Sequence, residues 1–221
     1  MLSGLLQLMH RQIETTTLTE RYRSRCEDRV SVINDGDRTV IIVADGAGGV
    51  GSGDLAAESV IHEVTSGYSE IHSADDWTNL LRQIDSRISA GESTAVVVDI
   101  RPYGIAGASV GDSQAWIIKD GRIENLTADQ VRKPLLGSGQ TTPVGFTHPP
   151  LDGLMIVATD GFCDYAKPND VIRLASESDY YEISRKCIDL VRLPSGDLWD
   201  DIGIVVARHK PKPPKRQKYE I

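Results

Sequence analysis

Residues 39–49 read TVIIVADGAGG, an apolar, β-branched run that stops at Asp45 and passes into glycines. The pattern recurs in residues 154–164, LMIVATDGFCD, where the run stops at Thr159 and Asp160. It is reversed in residues 26–33, CEDRVSVI, and 199–207, WDDIGIVVA, where Asp28 and Asp200 precede the apolar stretch. Such runs are strands that bury their side chains, so each carboxylate falls at a strand end, on the rim of a sheet. Carboxylates gathered on one rim repel one another and need protons or a divalent cation to coexist. Oxygen-only ligands favour a hard ion, Mg²⁺ or Mn²⁺, over zinc.

Working outward, Val30–Asn34 and Thr39–Asp45 are two strands joined by the turn Asp35-Gly36-Asp37. The glycine-rich stretch Gly46–Gly53 follows, and Asp54 is the expected N-cap of a helix carrying Leu55, Ala56, Val60, Ile61 and Val64. A second helix is expected over Asp75–Ser89, with Trp77, Leu80, Leu81, Ile84 and Ile88 on one face. Ser93–Ile100, Tyr103–Val110 and Ala115–Lys119 read as strands, and Asp120-Gly121 turns the last of them into Arg122–Leu126. Thr127–Pro150 reads as loop, Leu154–Thr159 and Ile202–Arg208 as strands, and Lys167–Leu174 and Asp179–Val191 as helices. Grouped rather than alternating strands and helices indicate an α+β fold with mostly antiparallel sheets.

At 221 residues the chain is long enough for one domain with a substantial core, and its 40% hydrophobic and 25% charged content is ordinary for a globular protein. The net charge of −8 argues against general nucleic-acid binding. It is unevenly spread: His209–Ile221 carries a net +4, leaving about −12 on the rest. Residues 1–209 are expected to form the folded domain and residues 210–221, KPKPPKRQKYEI, a flexible basic tail. That tail reads equally as a solubilising end, a docking segment for an acidic partner or an appended remnant. Cys26, Cys163 and Cys187 are odd in number and lack CxxC spacing, which suits reduced thiols in a cytoplasmic setting. No apolar run approaches the ~18 residues of a membrane span, and the start MLSGLLQLMHRQ lacks the features of a signal peptide.

The ordered set R-x-x-x-E-D, ADGAGG, STAVVV, GDS, TDGFCD and DDIGIVV, spread over Arg21 to Arg208, resembles the metal-dependent protein phosphatases of the PP2C type, in their stand-alone bacterial form. The resemblance implies a four-layer α/β/β/α sandwich of two mostly antiparallel sheets flanked by helices, with the metal cluster in a cleft at one end. It implies hydrolysis of phosphoserine and phosphothreonine on proteins, by water held between two Mn²⁺ or Mg²⁺ ions and attacking phosphorus in line. Asp45 would bridge the ions, the Gly46 carbonyl would contact one, and Asp160 and Asp200 would complete a shell. Asp112 and Asp164 match positions of a third, weaker metal. Glu27 and Asp28 would hold metal-bound waters, with Asp28 orienting or deprotonating the bridging one. Arg23 stands where the family places its phosphate-binding arginine; Arg21 and Arg25 are alternates, and in a strand all three would share a face. The implied partner is a phosphorylated protein opposed to a serine/threonine kinase, with no nucleic acid or membrane and a monomeric state.

Two departures stand out. Ala47 takes the place where many eukaryotic members carry histidine, so no side-chain acid is named. Asp201 replaces the asparagine that often follows the last aspartate, a hint of the SpoIIE-like branch dedicated to one regulatory protein. The competing class is a non-catalytic phosphatase-like sensor or scaffold, against which the retained aspartates argue. Gly137, Gly139 and Gly145 are expected to lend mobility to a shortened flap over the site. Cys26 and Cys163, each beside a metal motif, raise the further expectation of inactivation by oxidation or a soft metal, beside the plainer role of small core residues.

Overall fold

A computed structural model describes residues 12–22, 24–48 and 52–211. Its strands and helices build four layers. One sheet has the order β1 (Ile13–Glu20), β12 (Ile202–His209), β11 (Leu154–Ala158), β8 (Gln114–Lys119), β9 (Arg122–Asn125). The other has the order β10 (Val144–His148), β7 (Gly104–Val110), β6 (Ala95–Arg101), β3 (Arg38–Ala44), β2 (Arg29–Asp35). Every pairing in both is antiparallel. A two-stranded ribbon, β4 (Gly46–Ala47) with β5 (Glu92–Ser93), lies at the rim.

The period of two in the strands assigns the layers. Ile41 and Val43 of β3 meet Met155, Val157, Val205 and Ala207 across the gap between the sheets. Their neighbours Val40, Ile42 and Ala44 face the other way, onto Ala57, Val60 and Val64 of α1 (Gly53–Gly67) and Trp77, Leu81 and Ile84 of α2 (Ala74–Arg87). On the opposite outer face Ile202, Ile204 and Val206 pack under α3 (Asp160–Cys163), α4 (Pro168–Glu177) and α5 (Ile183–Val191), through Phe162, Val171, Ile183, Cys187 and Ile188. β3 and β12 are therefore buried on both faces, which is why they read as unbroken apolar runs. Helix α2 has the spacing and ends expected: Ser73 accepts from the Asp76 N–H at 3.1 Å, Asp75 and Asp76 sit in the first turn and Arg87 in the last.

Several expectations are corrected. β1, IETTTLTE, gives no clear strand signal in sequence, yet it pairs with β12 along its whole length. β10 lies inside the segment expected to be loop and pairs with β7. Asp54 is not the cap of α1, which starts at Gly53 behind Ser52; Asp54 is buried and ion-paired with Arg25 and, at 3.6 Å, Arg29. The described residues between β1 and β2 form no strand, so Arg21 and Arg25 do not lie on a strand face. The flap glycines are fastened rather than free: Asp85 of α2 accepts from the Gly137 and Gly139 N–H groups at 2.7 and 3.0 Å and from the Thr141 N–H at 3.2 Å, and Gly145 lies in β10. No helix among the described residues is long and apolar enough to cross a membrane. The expected tail from residue 212 onward, the start of the chain and Arg23 lie outside the described residues.

Candidate metal centre

Both sheets deliver carboxylates to one end of the sandwich. Asp45 leaves the end of β3, Asp160 opens α3 after β11, Asp28 precedes β2 and Asp200 precedes β12. Antiparallel pairing explains the convergence, because the C-terminal ends of β3 and β11 lie beside the N-terminal ends of β2 and β12. Among the described residues, carboxylate oxygens of Asp45, Asp112 and Asp160 all lie within 4.8 Å of one another. Asp112, from the turn between β7 and β8, thus stands with Asp45 and Asp160. Asp164, one turn after Asp160 in sequence, and Asp200 are exposed beside this group. Asp45, Asp112 and Asp160 are half-buried, and Asp28 behind them is 3% exposed.

The electrostatics follow. Burial raises the Asp45 carboxyl far above the ordinary range, and Asp28, Asp160 and Asp200 add to the rise. Asp28 is also raised, chiefly by burial, although a hydrogen bond from the Thr159 hydroxyl to its Oδ2 at 2.7 Å pulls the other way. Asp160 is raised to about 6 by burial and then by Asp112, Asp200 and Asp164, with the Arg132 guanidinium opposing. A crowded all-oxygen set that resists ionisation fits a hard divalent cation.

Hydroxyls and glycines hold the set in place. The Asp45 N–H donates to Thr94 Oγ1 at 2.9 Å, which pairs with Ser113 Oγ at 2.7 Å, tying β3 to the Asp112 turn. Thr159 Oγ1 also accepts the Gly203 N–H at 2.9 Å, tying Asp28 to β12. A Cβ on Gly46 would lie 2.2 Å from the Gly53 carbonyl oxygen, and one on Gly161 would lie 2.0 Å from the Asp201 carbonyl oxygen. These glycines let the start of α1 and the Asp200-Asp201 turn close onto the aspartate ends.

The roles of three residues at the site escape a reading of the sequence. Asp201 accepts the Tyr22 N–H at Oδ1 (2.6 Å) and the Glu27 N–H at Oδ2 (2.7 Å), fastening both ends of the loop that contains Arg23. A carboxylate serves two N–H donors with two oxygens, whereas asparagine has one acceptor to offer. This gives the Asp200-Asp201 pair a local structural role. Arg132, in the segment after β9, lies 2.5 Å from Asp112 and 3.5 Å from Asp160. Thr159 is visible in sequence only as the residue before Asp160. Contacts of this kind are long-range in sequence, and nothing local signals them.

Glu27 is half-buried beside Gly53 and Asp54; burial, then Asp54 and Asp201, raise its carboxyl. The two cysteines beside the site are poor candidates for a redox device. Burial pushes Cys26 up to about 12, and the Cys163 thiol, turned onto the Ala158 carbonyl, is pushed well up as well.

No family model matches the chain. The serine/threonine protein phosphatase PstP of Mycobacterium tuberculosis is 25% identical over 204 residues, covering 82% of this chain. The chain spans 38% of the length of that relative. A solved point variant of a bacterial serine phosphatase superimposes with a TM-score of 0.78 at 22% identity, covering 91% of this chain and 99% of its own. The serine/threonine phosphatase of S. agalactiae gives 0.77 at 19% identity, covering 90% of this chain and 100% of its own. The chain thus has the two-sheet, helix-flanked fold of the bacterial serine/threonine phosphatases of the PP2C type.

Proposed function

We propose that this protein removes phosphate from phosphoserine and phosphothreonine on proteins in a Mn²⁺- or Mg²⁺-dependent reaction. The observation that carries the reading is the Asp45–Asp112–Asp160 oxygen cluster, with its raised carboxyls, on a fold shared with serine/threonine phosphatases. Asp45, the Gly46 carbonyl, Asp160 and Asp200 would hold two ions, and Asp112 with Asp164 would serve a third. When bound, the ions supply charge neutralisation for the phosphoryl group and a water acidic enough to attack it.

The chain's own groups do the rest. Asp28, oriented by the Thr159 hydroxyl on its Oδ2, would orient the attacking water or take its proton. Arg23, in the loop closed by Asp201, would grip two phosphate oxygens with its guanidinium fork. Glu27, at the end of that loop, would order water next to the cluster. Residues 1–209 would act as one catalytic domain, monomeric and cytoplasmic, against a phosphoprotein made by a serine/threonine kinase, with residues 210–221 as an appended tail.

The test is hydrolysis of a phosphothreonine peptide with Mn²⁺ and with EDTA, beside Asp160→Asn. Release that requires Mn²⁺ and is lost in the variant is expected. Absence of both release and calorimetric Mn²⁺ binding would overturn the reading in favour of a non-catalytic scaffold.

A further inference from the structure

Large apolar side chains are exposed at few places among the described residues, and two of them adjoin the aspartate cluster. Tyr165, 45% exposed, directly follows Asp164; Trp199, 52% exposed, directly precedes Asp200. They come from neighbouring segments of one layer, one from the turn after α3 and one from the turn before β12. There they stack on each other, with ring centroids 5.3 Å apart and planes 6° from parallel. Neither is needed to fill a core: Phe162 and Leu198 beside them are the buried members of the same segments. The stack therefore forms an aromatic ledge on the rim, with an outer face open to solvent.

The surroundings of the ledge are acidic. Asp164 and Asp200 are its chain neighbours, Asp197 is two residues before Trp199, and all three are exposed. The chain outside the basic tail carries about −12, more than two or three divalent ions would offset. An aromatic face in a negative field binds a cation, and a guanidinium, planar and weakly hydrated, is the side-chain cation best suited to stacking on tryptophan and tyrosine.

The ledge borders the cluster, since Tyr165 follows Asp164 and Trp199 precedes Asp200, so a side chain close to the phosphorylated residue would arrive there. An extended peptide advances roughly 3.4 Å per residue, so a side chain about two residues from a phosphate at the cluster reaches the ledge.

We propose that Tyr165 and Trp199 form a specificity ledge that selects phosphoprotein segments with an arginine about two residues from the phosphorylated residue. This inference rests on the phosphatase reading, and it deepens it by naming the class of substrate segment.

The experiment uses the full chain and four phosphothreonine peptides in an alanine background: arginine two residues before, arginine two residues after, leucine at the same positions, and alanine throughout. One of the arginine peptides is expected to exceed the alanine peptide roughly three- to tenfold in kcat/KM. That ratio is expected to fall towards one in Trp199→Ala and in Tyr165→Leu, and to persist in Trp199→Phe. Because only the ratio is read, a general loss of activity does not imitate the result. A parallel titration measures affinity of the same peptides for Asp160→Asn by fluorescence anisotropy, without turnover. Arginine preference in binding with no hydrolysis of any peptide would keep the ledge and reject the activity. Equal treatment of arginine and alanine, a preference for leucine, or a ratio untouched by Trp199→Ala would overturn the ledge.

Discussion

Replacing Asp201 tests how the loop proposed to bind phosphate is held. Its two oxygens accept backbone N–H groups from Tyr22 and Glu27 at 2.6 and 2.7 Å, and the side chain is buried. Hydrogen bonds to a charged acceptor contribute about 1.5–3 kcal/mol each. Tyr22 is 42% exposed, so the lower end applies to its bond. Asp201→Asn keeps one acceptor and turns an NH₂ donor towards the other N–H, for an expected loss of about 1.5–2.5 kcal/mol. Asp201→Ala loses both bonds, for an expected loss of about 3–4 kcal/mol. Urea denaturation reads this as a lower midpoint at unchanged slope. The functional effect is larger than the energetic one, because the loop between the two bonds contains Arg23. Displacement of a positioning group by about an ångström can lower a rate by up to a hundredfold, so kcat/KM for an aryl phosphate is expected to fall at least tenfold. If Asp201 acts through the loop, Asp201→Asn adds little in an Arg23→Ala background. A variant within about 0.5 kcal/mol of the parent in stability and twofold in kcat/KM would refute the reasoning, as would full additivity with Arg23→Ala.

The remaining predictions address the cluster and its supports. Asp160 and Asp28 are raised to about 6 and about 7, so the metal-free fold binds protons more tightly than the unfolded chain. Their stabilising contribution is present at low pH and lost as pH rises through those values, at about 1.4 kcal/mol per pH unit for each carboxyl still protonated only in the fold. In EDTA the melting temperature should therefore fall between pH 5 and 8, and Mn²⁺ should flatten the slope; a flat metal-free profile would count against the clustering. Asp85→Ala removes the acceptor for three N–H groups of the Gly137–Thr141 stretch and should cost about 3 kcal/mol, with faster amide exchange confined to that stretch. Gly161→Ala places a Cβ 2.0 Å from the Asp201 carbonyl oxygen and should weaken Mn²⁺ binding measured by calorimetry, by forcing the Asp200-Asp201 turn away from Asp160. Trp77→Ala empties a wholly buried site between α2 and β3 and should cost about 3–5 kcal/mol in urea, with Mn²⁺ affinity retained.

What the sequence makes legible is what local pattern controls. β3, β11 and β12 can be read because strands covered on both faces are apolar throughout, and the aspartates mark where those runs end. β1 escapes because IETTTLTE is mostly threonine and glutamate, with burial supplied mainly by β12, far later in the chain, and by α5 and β2. β10 escapes because VGFTH is five residues long and set between prolines and glycines, so its strand character comes from pairing with β7. Asp54 looks like a cap because aspartate before an apolar helix usually is one; its ion pair with Arg25 depends on the irregular Arg21–Asp28 segment folding over α1. The roles of Asp201 and Arg132 are invisible for the same reason. Each is defined by a contact with a residue distant in sequence; Asp201 is noticed only as a departure from the usual asparagine, and Arg132 not at all.

The cluster is an arrangement that the fold maintains against its own electrostatics. Three separate apolar cores, one between the sheets and one under each helical layer, supply stability that does not depend on the rim. Thr94, Ser113, Thr159 and Asp201 then fix the backbone on which the acids stand, so the carboxylates cannot relieve their repulsion by moving apart. Repulsion that cannot relax is available as affinity for whatever neutralises it. Metal binding and folding are therefore coupled in one direction: a cation bound only by the native state adds RT ln(1 + [L]/Kd) to its stability. Weakening a girdle residue such as Thr94 would cost the buried hydrogen bonds it makes, about 1–3 kcal/mol without metal, and would also let the acids spread, so the loss would be larger with Mn²⁺ than without. Removing a core residue such as Trp77 would lower stability with and without metal by the same amount. The difference between those two responses to Mn²⁺ separates the residues that hold the charge in place from those that hold the fold together.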